Sequence, residues 1–300
     1  MPKFGRVLTA MVTPFTDSGD LDLGEASRLA RWLVENGNDG LVIAGTTGES
    51  PTLTHDEQVA LIEAVVEAVD VPVIAGTGSN DTKAAIELTK RAEKVGAAGI
   101  LSVTPYYNRP PQSGLIAHFS RIAEATELPV MLYDIPVRSG KKIETETLLE
   151  LAHTVSNIVA LKDAAGDPGE TAVFLSQAPE NFEVYSGDDS LNLALLAIGA
   201  VGVVGVATHW TGKEHQNLVK ALFGGEIEQA QQINASLQPS FAYESTIDAP
   251  NPIPAKVMMN ILGFNVGLGR PPMDVIPEGL QELAKSVVSQ TLIGKSMEIS

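Results

Sequence analysis

The chain has 300 residues, 44% hydrophobic and 19% charged, enough apolar material for one large α/β domain or for a barrel with a modest appendage. Its formal charge of −17 argues against nucleic acid, whose binding rests on Lys and Arg neutralising phosphates, and any small carboxylate ligand needs a local cation or backbone N–H donors. The absence of cysteine excludes disulfides, thiolate catalysis and zinc–sulfur sites; short apolar runs exclude a membrane span, and the lack of an export signal points to the cytoplasm.

The first β-rich run begins near Val7. It is followed by Asp22 with Glu25, an N-cap and an acid three residues on, and by the helical stripe Ala26, Leu29, Ala30 and Leu33. A second run begins near Leu41, and Thr54 with Glu57 opens the next helix. Further runs start near Val73, Ile100, Val130 and Ile158, the last followed by an N-cap at Asp167-Pro168 with Glu170. A seventh starts near Phe182, ahead of a stripe at Leu191, Ala194, Leu195 and Ile198, and an eighth near Val203. The runs are mostly continuous rather than alternating, as parallel strands covered on both faces should be.

Eight such alternations predict an α/β fold, a (β/α)₈ TIM barrel over residues 1–225. An open dinucleotide-binding sheet should show G-x-G-x-x-G after its first strand, where Thr13-Pro14-Phe15 stands. Beyond Gly224-Gly225 only helical patterns continue, through Ile227, Ala230 and Ile233, then Pro254–Leu262, then Leu280, Leu283, Ala284, Val287 and Val288. They predict a C-terminal helical extension over 226–300.

Active groups of such a barrel come from the C-terminal ends of its strands. Those ends carry Gly45-Thr46-Thr47-Gly48-Glu49-Ser50, Thr104-Pro105-Tyr106-Tyr107-Asn108, Tyr133 with Arg138, Lys162, and Ser186-Gly187-Asp188. Lys162 ends an apolar strand, and strand alternation sends Leu161 and Asp163 to the opposite face. A buried amine without a carboxylate partner loses basicity and becomes a nucleophile able to form an imine with a ketone. Taken alone, Lys162 also fits a surface lysine, Tyr133 an aromatic core cap, and Arg138 a solvated loop residue. Together they offer a nucleophile, a proton-transferring phenol and a planar fork for a carboxylate. The Gly45–Gly48 turn lacks the ending of a phosphate loop and fits a carboxylate cradle or an ordinary tight turn. None of His55, His118, His153, His209 and His215 forms a metal-ligand motif.

These motifs in combination resemble the pyruvate-dependent class I aldolase and lyase family typified by dihydrodipicolinate synthase, from Leu8–Phe15 through Ser186–Asp189 and more weakly beyond. The resemblance implies a Schiff-base lysine at Lys162 and a proton relay of Tyr133, Thr47 and Tyr107, with Tyr107 reaching a neighbouring subunit's site. It implies carboxylate binding by Thr46, Thr47 and Arg138, and a pocket lined by Gly187 and Val204. The implied reaction condenses pyruvate with L-aspartate 4-semialdehyde on the diaminopimelate route to lysine, in a homotetramer, with no cofactor and no metal. Sugar-acid aldolases of the same family are the nearest alternative, and a non-catalytic keto- or amino-acid-binding barrel a distant one. Ser50, His55, Asn80 and Tyr106 match parts of the family's lysine-effector pocket. Gln58 and Ala84 instead stand where lysine-inhibited bacterial members have His and Glu. Loss of that carboxylate removes a charge-assisted hydrogen bond of about 1.5–3 kcal/mol, so weak or absent inhibition is expected.

Overall fold

A computed structural model describes residues 2–290. Eight parallel strands close a barrel in sequential order: β1 (Val7–Ala10), β2 (Gly40–Ile43), β3 (Val73–Gly76), β4 (Gly99–Val103), β5 (Val130–Asp134), β6 (Ile158–Asp163), β7 (Glu183–Ser186) and β8 (Gly202–Gly205), which pairs back onto β1. Each strand begins at the residue expected from sequence or at its neighbour.

Alternation along the strands divides the core into two layers. Leu8, Val42, Ile74, Leu101, Met131, Ala160, Tyr185 and Val204 fill the barrel interior. Val7, Leu41, Ile43, Leu132, Leu161 and Val184 pack outward against the helices. Each such buried Leu, Val or Met stabilises by roughly 1.5–3 kcal/mol, so the alternation is enforced at every position. Phe4 closes the N-terminal end of the barrel. A glycine opens β4 because a Cβ on Gly99 would lie 2.6 Å from the Phe4 ring. With that end plugged, the opposite rim is left to hold a ligand.

The helix starts follow local chemistry. Asp22 accepts a hydrogen bond from Glu25 N at 2.9 Å and Asp167 one from Glu170 N at 3.0 Å, while Thr54 and Glu57 form a reciprocal capping box. One stripe differs from expectation. The helix Asn192–Ala197 buries Asn192, Leu195 and Leu196, whereas Ala194 is exposed and Ile198 is 36% exposed. A 3₁₀ turn at Asp189–Leu191 precedes it, and Asn192 Nδ2 donates to Asp189 Oδ1 at 2.8 Å. That bond rotates the helix so that a polar residue faces inward.

After β8 comes the helix Thr208–Phe223, and beyond the barrel follow three more: Ile227–Glu244, Ile253–Ile261 and Leu280–Gln290. Residues 291–300 of the expected extension lie outside the described residues. The extension is fastened to the barrel by specific polar contacts. Trp210 donates to Ser240 Oγ at 3.0 Å, and Tyr243 packs edge-on against Trp210 and donates to Pro254 O. Lys256 Nζ pairs with Glu49 at 2.9 Å and Arg270 with Glu57 at 2.6 Å. Among the described residues no helix is long and apolar enough to cross a membrane.

Candidate active site

Lys162 occupies the last turn of pleat on β6. Its neighbour Leu161 belongs to the outer core, and Asp163 accepts hydrogen bonds from Ala165 N at 2.9 Å and from Thr171 on the surrounding helix Pro168–Leu175. Lys162 therefore points into the barrel, flanked in register by Tyr133 on β5 and Tyr185 on β7. It is 5% exposed, with Nζ 4.4 Å from the centre of the Tyr133 ring. Among the described residues it has no ion-pair partner. Burial pushes the amine down from 10.5 to about 8; Arg138 acts in the same direction, and Asp189 resists.

Tyr133 is also enclosed. Burial pushes its phenol up to about 12, while Arg138 and a hydrogen bond with the Thr46 side chain pull the other way. The resemblance implies Thr47 as the threonine of a relay with Tyr133 and Tyr107. The structure sets Thr46 against Tyr133 and turns Thr47 aside, where its Oγ1 accepts a hydrogen bond from Asn251 Nδ2 at 2.9 Å. The backbone explains the separation. Ala44 and Glu49 take left-handed φ of 57° and 56° at either end of the turn, which sends its two adjacent hydroxyls toward different partners. Gly76 on the neighbouring strand has to be glycine, because a Cβ there would lie 2.5 Å from Ala44 O. Thr13 Oγ1 ties the turn down by donating to Gly48 O at 2.6 Å.

These groups line a cavity of about 450 Å³ at the barrel mouth, together with Arg138, Gly187, Asp188 and Glu244. Arg138 sits on the one-turn helix Pro136–Ser139 and donates to Asn251 O at 3.1 Å. Gly187 is tight against the lysine, since a Cβ there would lie 2.8 Å from Lys162 Cγ. Val204 faces the barrel interior without lining the cavity. Tyr107 is 89% exposed, takes a φ of 72°, and does not line it either. Nor do Ser50, His55, Asn80 and Tyr106; Ser50 O accepts from Gln58 Nε2 and Asn80 O from Asn108 Nδ2, each at 2.8 Å. A cavity of about 500 Å³ between residues 16–19 and 260–274 holds neither a displaced amine nor a phenol, whereas the barrel mouth brings Lys162 and Tyr133 together and is the candidate site.

Sequence reasoning missed the wall contributed by Glu244–Thr246, Ile247, Pro250 and Asn251. The Ala249–Pro252 stretch reads as a connector, and a polar residue in a connector gives no sign of what it touches two hundred positions away. The run Ser186–Asp189 carries no local sign of a role for Asp189.

Residues 3–291 match the model of the dihydrodipicolinate synthetase family. The chain belongs to that family. It is 49% identical over 273 residues to the 4-hydroxy-tetrahydrodipicolinate synthase of Moorella thermoacetica, covering 90% of this chain and 92% of that one. Among solved structures, a dihydrodipicolinate synthase from Bacillus anthracis superposes with a TM-score of 0.92 at 44% identity, covering 96% and 99% of the two chains. One from Cyanidioschyzon merolae with lysine bound gives 0.94 at 43% identity, covering 98% and 99%. The family assignment agrees with the closed barrel of eight parallel strands.

A depressed lysine has a stability signature. Below pH 8 the folded state must bury a charge that the unfolded chain solvates, a cost of roughly 3 kcal/mol that disappears as pH rises from 8 to 10.5 and the unfolded amine also loses its proton. Lys162→Met is therefore expected to raise the denaturant midpoint at neutral pH, with the gain shrinking above pH 8 and gone above 10.5. Chemical denaturation across this range checks both the sign and the window.

Proposed function

We propose that the chain is a 4-hydroxy-tetrahydrodipicolinate synthase that joins pyruvate to L-aspartate 4-semialdehyde through a Schiff base on Lys162, on the diaminopimelate route to lysine. The observation that carries this reading is the buried amine, brought down to about 8, facing Tyr133 and Arg138 across one cavity.

The chemistry follows from these groups. The neutral Lys162 nitrogen attacks the keto carbon of pyruvate, a C–N bond forms, and a proton passes from nitrogen to the former keto oxygen. The resulting hydroxyl takes a second proton and leaves as water, which gives a cationic iminium. Loss of a methyl proton turns the iminium into an enamine, whose carbon attacks the aldehyde of the second substrate while the aldehyde oxygen gains a proton. The second substrate's amino group then displaces Lys162, closing the ring and freeing the amine. Tyr133 is placed to carry the protons. Because its phenol is held near 12, it does so by accepting one proton as it gives another, with Thr46 as its hydrogen-bonding partner. The amine itself supplies the covalent chemistry, without an added cofactor.

In this reading Thr46, Thr47 and Arg138 serve the substrate carboxylates, with Gly187 leaving room for the lysine. Tyr107 serves a second copy of the chain, which fits its exposure and its left-handed backbone, and the assembly is a homotetramer working in the cytoplasm.

Borohydride reduction in the presence of pyruvate, followed by intact mass and peptide mapping, is expected to place one pyruvate-derived adduct on Lys162. Consumption of L-aspartate 4-semialdehyde in a coupled assay is expected to accompany it. An adduct elsewhere, or none, removes the basis of the proposal. Gln58 and Ala84 at the positions named above lead to a second expectation, that lysine inhibits weakly or not at all. A low-micromolar inhibition constant in the same assay would reject it.

A further inference from the structure

Two buried carboxyl groups, one of them in the wall of the cavity, take no part in the chemistry above. Asp189, 2% exposed, begins the 3₁₀ turn after β7. Glu244, 9% exposed, ends the helix Ile227–Glu244 and lines the cavity with Lys162. Asp189 Oδ2 accepts from Val206 N at 2.7 Å and from Ala207 N at 2.9 Å, while Oδ1 accepts from Asn192 Nδ2 at 2.8 Å. Glu244 Oε2 accepts from the same Ala207 N, also at 2.9 Å. Gly205 makes room for the arrangement, since a Cβ there would lie 2.4 Å from Asp189 Oδ1.

Two buried carboxyls that converge on one N–H cannot both ionise, because their repulsion is barely screened. The donors decide which one keeps the charge. Asp189 accepts three such bonds and Glu244 one, so Glu244 retains the proton and donates to Asp189. Burial, and then the Asp189 charge, push the Glu244 carboxyl well above the ordinary range. Burial alone would raise Asp189, but the facing His215 and the bonds from Glu244 and Val206 N outweigh it and hold Asp189 low. The other ionisable groups facing the pair are Lys162 on β6, Asp188 just before the turn, and His209, which with His215 lies on the helix Thr208–Phe223.

We propose that Asp189 and Glu244 hold one proton between them, and that the single negative charge left on the pair is the counter-ion of the iminium formed on Lys162. This rests on the Schiff-base reading above. Two charges would keep the resting amine protonated and unable to attack; none would leave a cation unpaired in a buried cavity. Both are positioning residues that act on the reacting nitrogen through their field.

The test follows borohydride trapping of pyruvate across pH in the full chain, with Asp189→Asn and Glu244→Gln beside the wild type. In Asp189→Asn the midpoint for amine deprotonation is expected to fall by about one pH unit, and above pH 8, where the wild-type amine is already neutral, the pyruvate needed for half-trapping is expected to rise about tenfold. Glu244→Gln keeps a neutral donor toward Asp189, and its midpoint is expected to move by less than about half a unit. An unchanged midpoint in Asp189→Asn, or a full-unit fall in Glu244→Gln, overturns the proposal. Asp189 also holds two backbone N–H groups, so infrared difference spectra of wild type minus Glu244→Gln give a readout that does not need the aspartate variant to fold. The carbonyl band of a protonated carboxylic acid is expected at neutral pH, and its absence overturns the shared proton. If the wild type forms no pyruvate adduct at all, the Schiff-base reading has failed, while the infrared band still decides the state of the pair.

Discussion

The cost of burying an ammonium group governs this site. Lys162 reaches the barrel mouth on a strand whose alternation removes both sequence neighbours from its side, and Tyr133 and Tyr185 cover it laterally. With no carboxylate in contact among the described residues, desolvation outweighs the more distant Asp189 and lowers the amine's proton affinity. The same cost explains the tight fit around the lysine. The absence of a side chain at Gly187, the Tyr133 ring 4.4 Å from Nζ, and the plug of Phe4 at the far end all serve to keep the amine in place and dry.

The helices after the barrel take part in holding that geometry. Asn251 grips both sides of the mouth, donating through its amide to Thr47 and accepting at its carbonyl from Arg138. Lys256, 2% exposed, lies behind the Gly45–Ser50 turn, where it pairs with Glu49, donates to Leu268 O at 2.7 Å and stands over the Phe15 ring. A buried ion pair of this kind adds little net stability after desolvation, but removing one partner strands the other. Its value here is positional: the left-handed Glu49 is held from the side chain by Lys256 and Arg270 N, and the turn that carries Thr46 and Thr47 is held with it.

The fold was legible because parallel strands covered on both faces and capped helices leave strong local signals. Val130–Leu132 is apolar throughout, and Thr54 with Glu57 closes the expected box. That Lys162, Tyr133 and Arg138 would share one cavity was legible because each stands at a strand end or just beyond it, on the rim where a barrel gathers its polar groups. Which of Thr46 and Thr47 would face Tyr133 was not, since it depends on two left-handed residues that are neither glycine nor asparagine. Glu244, Asn251 and the inward turn of Asn192 escaped for a different reason. Each is fixed by contacts between segments remote in sequence, and no periodicity records them.

The decisive quantity is the proton affinity of one nitrogen. Following the side-chain ¹⁵N resonance of Lys162 with pH in the ligand-free protein, assigned by its loss in Lys162→Met, measures it directly. A midpoint near 8 is expected. A midpoint at the ordinary lysine value of 10.5 would mean that the amine is solvated and charged when pyruvate arrives, and would contradict a site built on desolvation.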